Sequence, residues 1–319
     1  MQLNPSIKGR LTRIADGNVG RPLLSGDGKT VVYSRWSGDN WDIERNRDGE
    51  MEAVSKHPYH DTSPAMSESG DVVVWSRLTP STPDGPGSWD LYRWENGETT
   101  ALAQSPADES EATITSDGRT VVYTYDDISK TTGYDLHICK DGQCEELTNG
   151  GPVDRLPQIS GDGNRVVFRR RVRFDGGDLF LKDETGTIKP LTANPLAEFT
   201  PTLSRDGNVL AWSQSESRDS DSDIYLYNLA NGQKEIIGED GVEERDPALT
   251  PDGSLLAYTR MGEGKSTIQL RQNGKTVPLT IDGSSGFPSL SSDGRTIAWR
   301  AVDPADSSQA VIYKFERTD

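Results

Sequence analysis

The chain has 319 residues, 32% hydrophobic and 27% charged, with a net charge of −17 at pH 7. That charge argues against a nucleic-acid backbone or an anionic membrane as main partner, and no apolar run approaches the roughly 20 residues of a transmembrane helix. The start, Met1-Gln2-Leu3-Asn4-Pro5, lacks a signal-peptide pattern. It is read as a cytoplasmic protein or a mature exported domain without its leader.

Taken in order, residues 1–13 hold one candidate strand, Lys8-Gly9-Arg10-Leu11-Thr12. From Pro22 onward one unit recurs, marked by the turn glycines Gly28, Gly70, Gly118, Gly163, Gly207, Gly253 and Gly294, 41–48 residues apart. A period of this size marks an array of one supersecondary unit. Three residues before each glycine stands Ser25, Ser67, Thr115, Ser160, Ser204, Thr250 or Ser291. Six before it stands proline, except at Ala112, and immediately before it aspartate, except at Ser69. Five after it an aromatic residue follows in all copies: Tyr33, Trp75, Tyr123, Phe168, Trp212, Tyr258 and Trp299. Hydroxyl and carboxylate can bond backbone amides across a hairpin turn, glycine supplies the positive φ, and the aromatic fills the space between stacked sheets.

Each unit continues with a third strand, opened by Asp42, Asp90, Asp135, Asp178 or Asp223 in five copies, then a second tight turn and a fourth strand often ending Leu-Thr. Four antiparallel strands repeated seven times predict an all-β, seven-bladed propeller, a single unit over 1–319 with blades starting near 20, 62, 110, 155, 199, 245 and 286. A β-solenoid is the rival; its repeats are usually shorter and do not need two Asp/Asn-Gly hairpins each. The seventh unit stops after three strands, so residues 1–13, with the matching Leu11-Thr12, are expected to supply its fourth and hide both edges.

The Pro-x-x-Ser-x-Asp-Gly units followed by an apolar-aromatic strand, as in Pro157 to Phe168 and Pro201 to Trp212, resemble the WD40-like PD40 repeats of TolB-type propellers. The resemblance covers nearly the whole chain. It implies periplasmic or secreted relatives with protein-binding roles. TolB itself has an N-terminal α/β domain and six blades; this sequence has no room for that domain and shows seven units. Prolyl-oligopeptidase-like enzymes carry similar propellers ahead of a catalytic domain, and no such domain is seen in this sequence.

Chemical motifs are sparse. The Gly-x-Ser-x-Gly elbow of serine hydrolases is absent, and Met261 to Ser266 lacks the first glycine and the helix of a phosphate loop. His57 and His60 are candidate metal ligands in the loop entering the second blade, a partial set beside the histidine-rich site of oligogalacturonate-lyase-type propellers; His137 reads as a packed or exposed strand residue. Cys139 and Cys144 flank an Asp-Gly turn that sets them directly opposite, where a disulfide can form; two free thiols are the other reading. The connections between second and third strands are longest at Leu78 to Ser88, Asp126 to Gly133 and Ser215 to Ser222, marking a variable face. Trp36, Trp41, Trp89 and Trp94 lie near it, as a ligand platform or as packing between blades.

Nine residues before the turn glycine stand Asp61, Glu109, Asp154, Glu198 and Glu244, which the repeat predicts as an acidic ring at the channel mouth, with Arg35, Arg77, Arg170 and Arg260 as neighbours. The ring either binds those arginines or takes a cation, calcium or another divalent ion, or a cationic group of a partner. The expected function is therefore a non-catalytic propeller, monomeric, that binds a protein, peptide or glycan. The alternatives are a metal-dependent hydrolase or polysaccharide lyase acting at the channel mouth, and an accessory domain of a larger complex. Periplasmic or secreted placement is preferred over the cytoplasm.

Overall fold

In a computed structural model, which describes residues 1–80, 87–127, 129, 133–149, 151–173, 176–194, 196, 198–215 and 221–318, each Ser-x-Asp-Gly motif forms the first turn of a four-stranded antiparallel sheet. In the fourth copy Ser160 Oγ donates to Asp162 Oδ1 at 2.6 Å and accepts the Arg165 amide at 3.0 Å. Asp162 accepts the Asn164 amide at 3.0 Å, and Gly163 closes the turn at φ 80°. Burial opposes ionisation of Asp162, but the bonds from Ser160 and Asn164 outweigh it and hold the carboxyl below its usual range. The second copy, with Ser69, makes looser bonds of 3.2–3.4 Å.

Seven such sheets form a β-propeller. The sixth blade, for example, runs through Glu243–Leu249, Leu255–Gly262, Lys265–Gln272 and Lys275–Pro278. The repeat aromatics are all buried, and on the neighbouring third strand Trp75, Phe168, Trp212 and Trp299 stand opposite Tyr92, Phe180, Tyr225 and Tyr313. Ring centroids there are 5.4–6.2 Å apart. The core is divided into layers between adjacent blades, such as Val32, Ile43 and Val54 of the first against Met66, Val73 and Trp75 of the second. The Leu-Thr endings have a local role. Thr148, Thr192 and Thr280 accept the amides of Leu136, Leu179 and Ile268 at 2.8–2.9 Å, fastening the fourth strand to the third.

The ring closes through the N-terminus. Gly9–Gly17 pairs with Ala310–Arg317, beside Thr296–Val302 and Ser285–Leu290. Ala15, Val19, Tyr33, Ala298 and Ile312 share the layer between seventh and first blades. The closing strand runs further than expected, and its register differs: the bulge opposite Ile312 falls at Arg13/Ala15, so Ile14-Ala15 takes the Leu-Thr place and Leu11 is exposed. A further ribbon, Gln2–Leu3 on Thr280–Asp282, was not legible in the sequence.

Strand pairing in the second blade continues through Leu78↔Trp89, Thr79↔Ser88 and Pro80↔Gly87, so the connection expected over 78–88 is shorter. Much of the three variable connections (81–86, 128, 130–132 and 216–220) lies outside the described residues. Met261 to Ser266 is a hairpin turn, with Glu263 and Gly264 at φ 51° and 73° and Gly262 paired with Lys265. Cys139 and Cys144 are paired as expected and joined in a disulfide across the Asp141-Gly142 turn.

Candidate binding site

The innermost strands enclose an axial cavity of about 460 Å³. Its wall is layered by repeat position. At the variable-face lip stand Arg21, Leu156, Thr200, Asp246 and Phe287; below them come a proline collar that includes Pro22, Pro64 and Pro201, then an apolar ring that includes Leu24, Met66, Ile114 and Leu203. At the lip position Ser63, Glu111, Leu156, Thr200, Asp246 and Phe287 adopt left-handed φ between 45° and 57°, just before the collar position. A bulge accompanies it in these six blades, for example between Arg155 and Gln158. Leu and β-branched Thr are rarely found there, and the strain is concentrated around the cavity entrance.

The tight-turn end is obstructed. Amides pass from blade to blade as Ser292 to Gly26, Gly26 to Glu68, Glu68 to Ser116, Ser116 to Gly161 and Gly161 to Arg205, at 2.6–3.1 Å. Asp206 continues to Pro251, whose missing N–H interrupts the circuit. At Gly161, whose amide makes the shortest of these bonds, a Cβ would lie 2.9 Å from the Arg205 carbonyl oxygen. Across the floor, Arg205 donates to the carbonyls of Ile114 (2.6 Å) and Met66 (3.1 Å) and stands 3.4 Å from Glu68. Burial lowers its proton affinity, and Glu68 opposes that.

The five predicted acids stand behind this wall rather than in it. Asp61, Glu109, Asp154, Glu198 and Glu244 are 0–2% exposed and absent from the cavity lining. Their repeat position starts the inner strand, and the lining position comes two residues later. The bulge and left-handed residue turn the chain between them. The register pairs each acid with the residue seven after the turn glycine, as in Asp61↔Arg77, Glu109↔Tyr125 and Glu198↔Gln214.

Aspartate and glutamate then behave differently. Arg77 grips Asp61 with two bonds of 2.7 and 2.9 Å, and Arg170 grips Asp154 with two of 2.7 Å. Arg35 faces Val19 and turns to Glu44 at 3.4 Å; Arg260 lies 3.7 Å from Glu244 and bonds Glu239. Glu109, Glu198 and Glu244 each keep a buried Oε2 without a partner. Burial pushes Glu109 and Glu198 up to about 7 and Glu244 up to about 8, with Asp90, Asp178 and Asp223 of the preceding blades adding to the rise.

Calcium or another divalent cation needs several donors at one point. The five acids lie in separate inter-blade layers, and no three His, Cys, Asp or Glu side chains gather for a metal among the described residues. His60 Nδ1 accepts the Trp41 amide at 3.3 Å, and the His57 carbonyl accepts from Asn40. His57 Nδ1 is buried without a partner, and no group of three His, Cys, Asp or Glu forms around the two histidines among the described residues. The tryptophans divide. Trp36 packs edge-on to Trp41 and stacks on His60, both at 5.7 Å, while Trp94 is buried beneath Arg45. His137 stacks on Tyr125 at 4.1 Å.

Sequence reasoning missed the lip and the floor. The lip has one readable signal, its place immediately before the collar proline, but its residue types vary and conceal the repeat.

No known family's sequence profile matches the chain. A curated relative, a protein TolB homolog from Chlorobaculum tepidum, is 28% identical over 130 residues, covering 39% of this chain and 29% of that protein. The chain therefore matches less than a third of that relative's length. TolB from Acinetobacter baumannii superposes with a TM-score of 0.55 at 15% identity, over 89% of this chain and 68% of that one. The propeller is TolB-like. An oligogalacturonate lyase solved in complex with manganese also superposes on this TolB-like propeller, with a TM-score of 0.70 at 14% identity over 100% and 96% of the chains. At such identity the likeness shows the fold alone.

Proposed function

We propose that this TolB-like propeller is a non-catalytic binding module that takes a segment of a protein or peptide on its variable face, at the channel mouth. The observation that carries the reading is the one-sided cavity: a blade-to-blade amide circuit and Arg205 obstruct the tight-turn end, while the lip varies in residue type from blade to blade. Rigid scaffolds place recognition on such varied loop ends. The disulfide fits an oxidising compartment, periplasmic or extracellular.

The test is selection of binders from a displayed random-peptide library, followed by rebinding to Leu156→Trp, which puts a bulkier side chain at the cavity lip. Selected peptides should lose binding to that variant while it keeps the parental fold by circular dichroism. Peptides indifferent to the bulkier lip, or no enrichment, would reject the channel mouth as the site.

A further inference from the structure

We infer that the channel mouth takes an acidic peptide segment, one carrying several carboxylates, on the free edges of arginines stacked against aromatic rings. This rests on the reading of the mouth as a protein-binding surface and names the chemistry of the partner. The molecule as a whole is strongly acidic, yet the repeat positions at and beside the lip carry Arg21, Arg155, Arg169, Arg245 and Arg300.

The Arg21 guanidinium lies 4.1 Å over the Phe287 ring, Arg155 4.5 Å over Tyr134, and Arg169 5.8 Å from the centroid of exposed Phe199. A guanidinium stacked by its face keeps its N–H edge for a carboxylate. Arg155 uses that edge on Glu111 at 2.7 Å. Among the described residues, no ion pair joins Arg21, Arg169 or Arg300 to a carboxylate, although Asp246 at the lip acts on Arg21 and Glu198 and Glu111 act on Arg169 from farther off. Arg169 Nε is buried without a partner, and Arg300 Nε donates to the Val19 carbonyl at 2.8 Å.

These three differ from Arg77 and Arg170, whose forks are filled by buried aspartates. Arg169 and Arg300 are half-buried, and burial lowers their proton affinity, so a ligand carboxylate has a place to act there, while exposed Arg21 offers its edge at the entrance. Arg21 and Arg300 belong to adjacent blades one and seven, and Arg169 to blade four across the ring. One carboxylate cannot serve both sides; a segment with separated acids can. An apolar residue between the acids would enter the collar toward Leu24, Met66 and Leu203. The net charge of −17 does not cancel this attraction, because screening confines it to about 8 Å at physiological salt.

The experiment titrates the full chain by calorimetry with acetylated, amidated octapeptides that carry Glu, Gln or Lys on either side of one leucine. A fourth probe is the Gln peptide with a free C-terminal carboxyl. The Glu peptide should bind, the Gln peptide at least tenfold more weakly and the Lys peptide more weakly still. Replacing Arg21 and Arg169 together by Gln should cost the Glu peptide tenfold or more. The paired Lys variant keeps the charge without the planar fork; it should also lose affinity, and it serves if the Gln pair fails to fold. Equal or tighter binding of the Gln or Lys peptide, unchanged affinity of the variants, or no binding by any peptide overturns the inference. Binding by the free-carboxyl Gln probe alone overturns it in favour of a chain end. Library-selected peptides that are neutral or basic yet lost on Leu156→Trp would sink the acidic partner while leaving the protein-binding reading in place.

Discussion

Aspartate and glutamate at one repeat position make opposite contributions to this propeller. Asp154 is short enough to meet the fork of Arg170, and the pair completes both partners. Glu198 faces Gln214, accepts one bond from Asn194 at 2.9 Å, and has Asp178 of the preceding blade close by. Its folded value near 7 lies above the ordinary 4.5, so its neutral form suits the fold. The associated stability is full below about 4.5 and is lost as pH rises through 7. Glu109 and Glu244 act in the same direction, the latter up to about 8. We therefore predict that Glu198→Gln melts a few degrees above the parent at pH 8.5 and that the gap closes toward pH 5. Asp61→Asn, at the same repeat position, should instead cost about 3–5 kcal/mol, because it leaves Arg77 buried without its anion. Melting curves at the two pH values decide between them: equal melting of parent and Glu198→Gln at pH 8.5 would show that the glutamate ionises in the fold at no cost. The repeat position was legible in the sequence. Its orientation was not, because one left-handed residue and a bulge two positions on decide which side chain meets the channel.

Hairpins were legible where short-range chemistry alone fixes them. The Asp141-Gly142 turn, with φ of 49° and 81°, sets Lys140 against Gln143 and Cys139 against Cys144 with no help from the rest of the fold. Intact-mass measurement of protein made in an oxidising compartment should show no alkylated cysteine until a reductant is added. Two alkylated thiols without reduction would remove the disulfide and, with it, the residue-level argument for export. The closed loop is short, so reduction should cost no more than about 2 kcal/mol. The strand that ends the first hairpin of the second blade was less legible. Leu78 to Pro80 read as loop because threonine and prolines surround them, yet they pair with Gly87 to Trp89. The Leu-Thr motif lay between these cases: its recurrence was plain, but its threonine-to-amide bond to the third strand was not.

Closure belongs to the whole molecule, since no blade can show it alone. Seven copies and a missing last strand require a partner from elsewhere in the chain, and that count already pointed to the N-terminus. The alignment on Leu11-Thr12 placed it three residues early, because no Asp-Gly hairpin joins this strand to its partner Ala310–Arg317 to fix the register. In the structure Gly9–Gly17 covers the length of Ala310–Arg317, and Ala15 enters the layer between seventh and first blades. Deleting residues 1–17 should therefore leave a long edge strand unpaired, with Val311, Ile312, Tyr313 and Phe315 losing cover. The expected outcome is self-association through that edge, seen by sedimentation, with a large fall in melting temperature. Deleting residues 1–8 removes only the Gln2–Leu3 ribbon and its cover over the sixth-to-seventh layer, and it should cost far less. Adding a peptide of residues 8–18 should return the longer truncation toward a monomer, because the groove it left has a defined register. A monomeric 1–17 deletion that melts with the parent would mean that six blades and three strands close without the N-terminal strand.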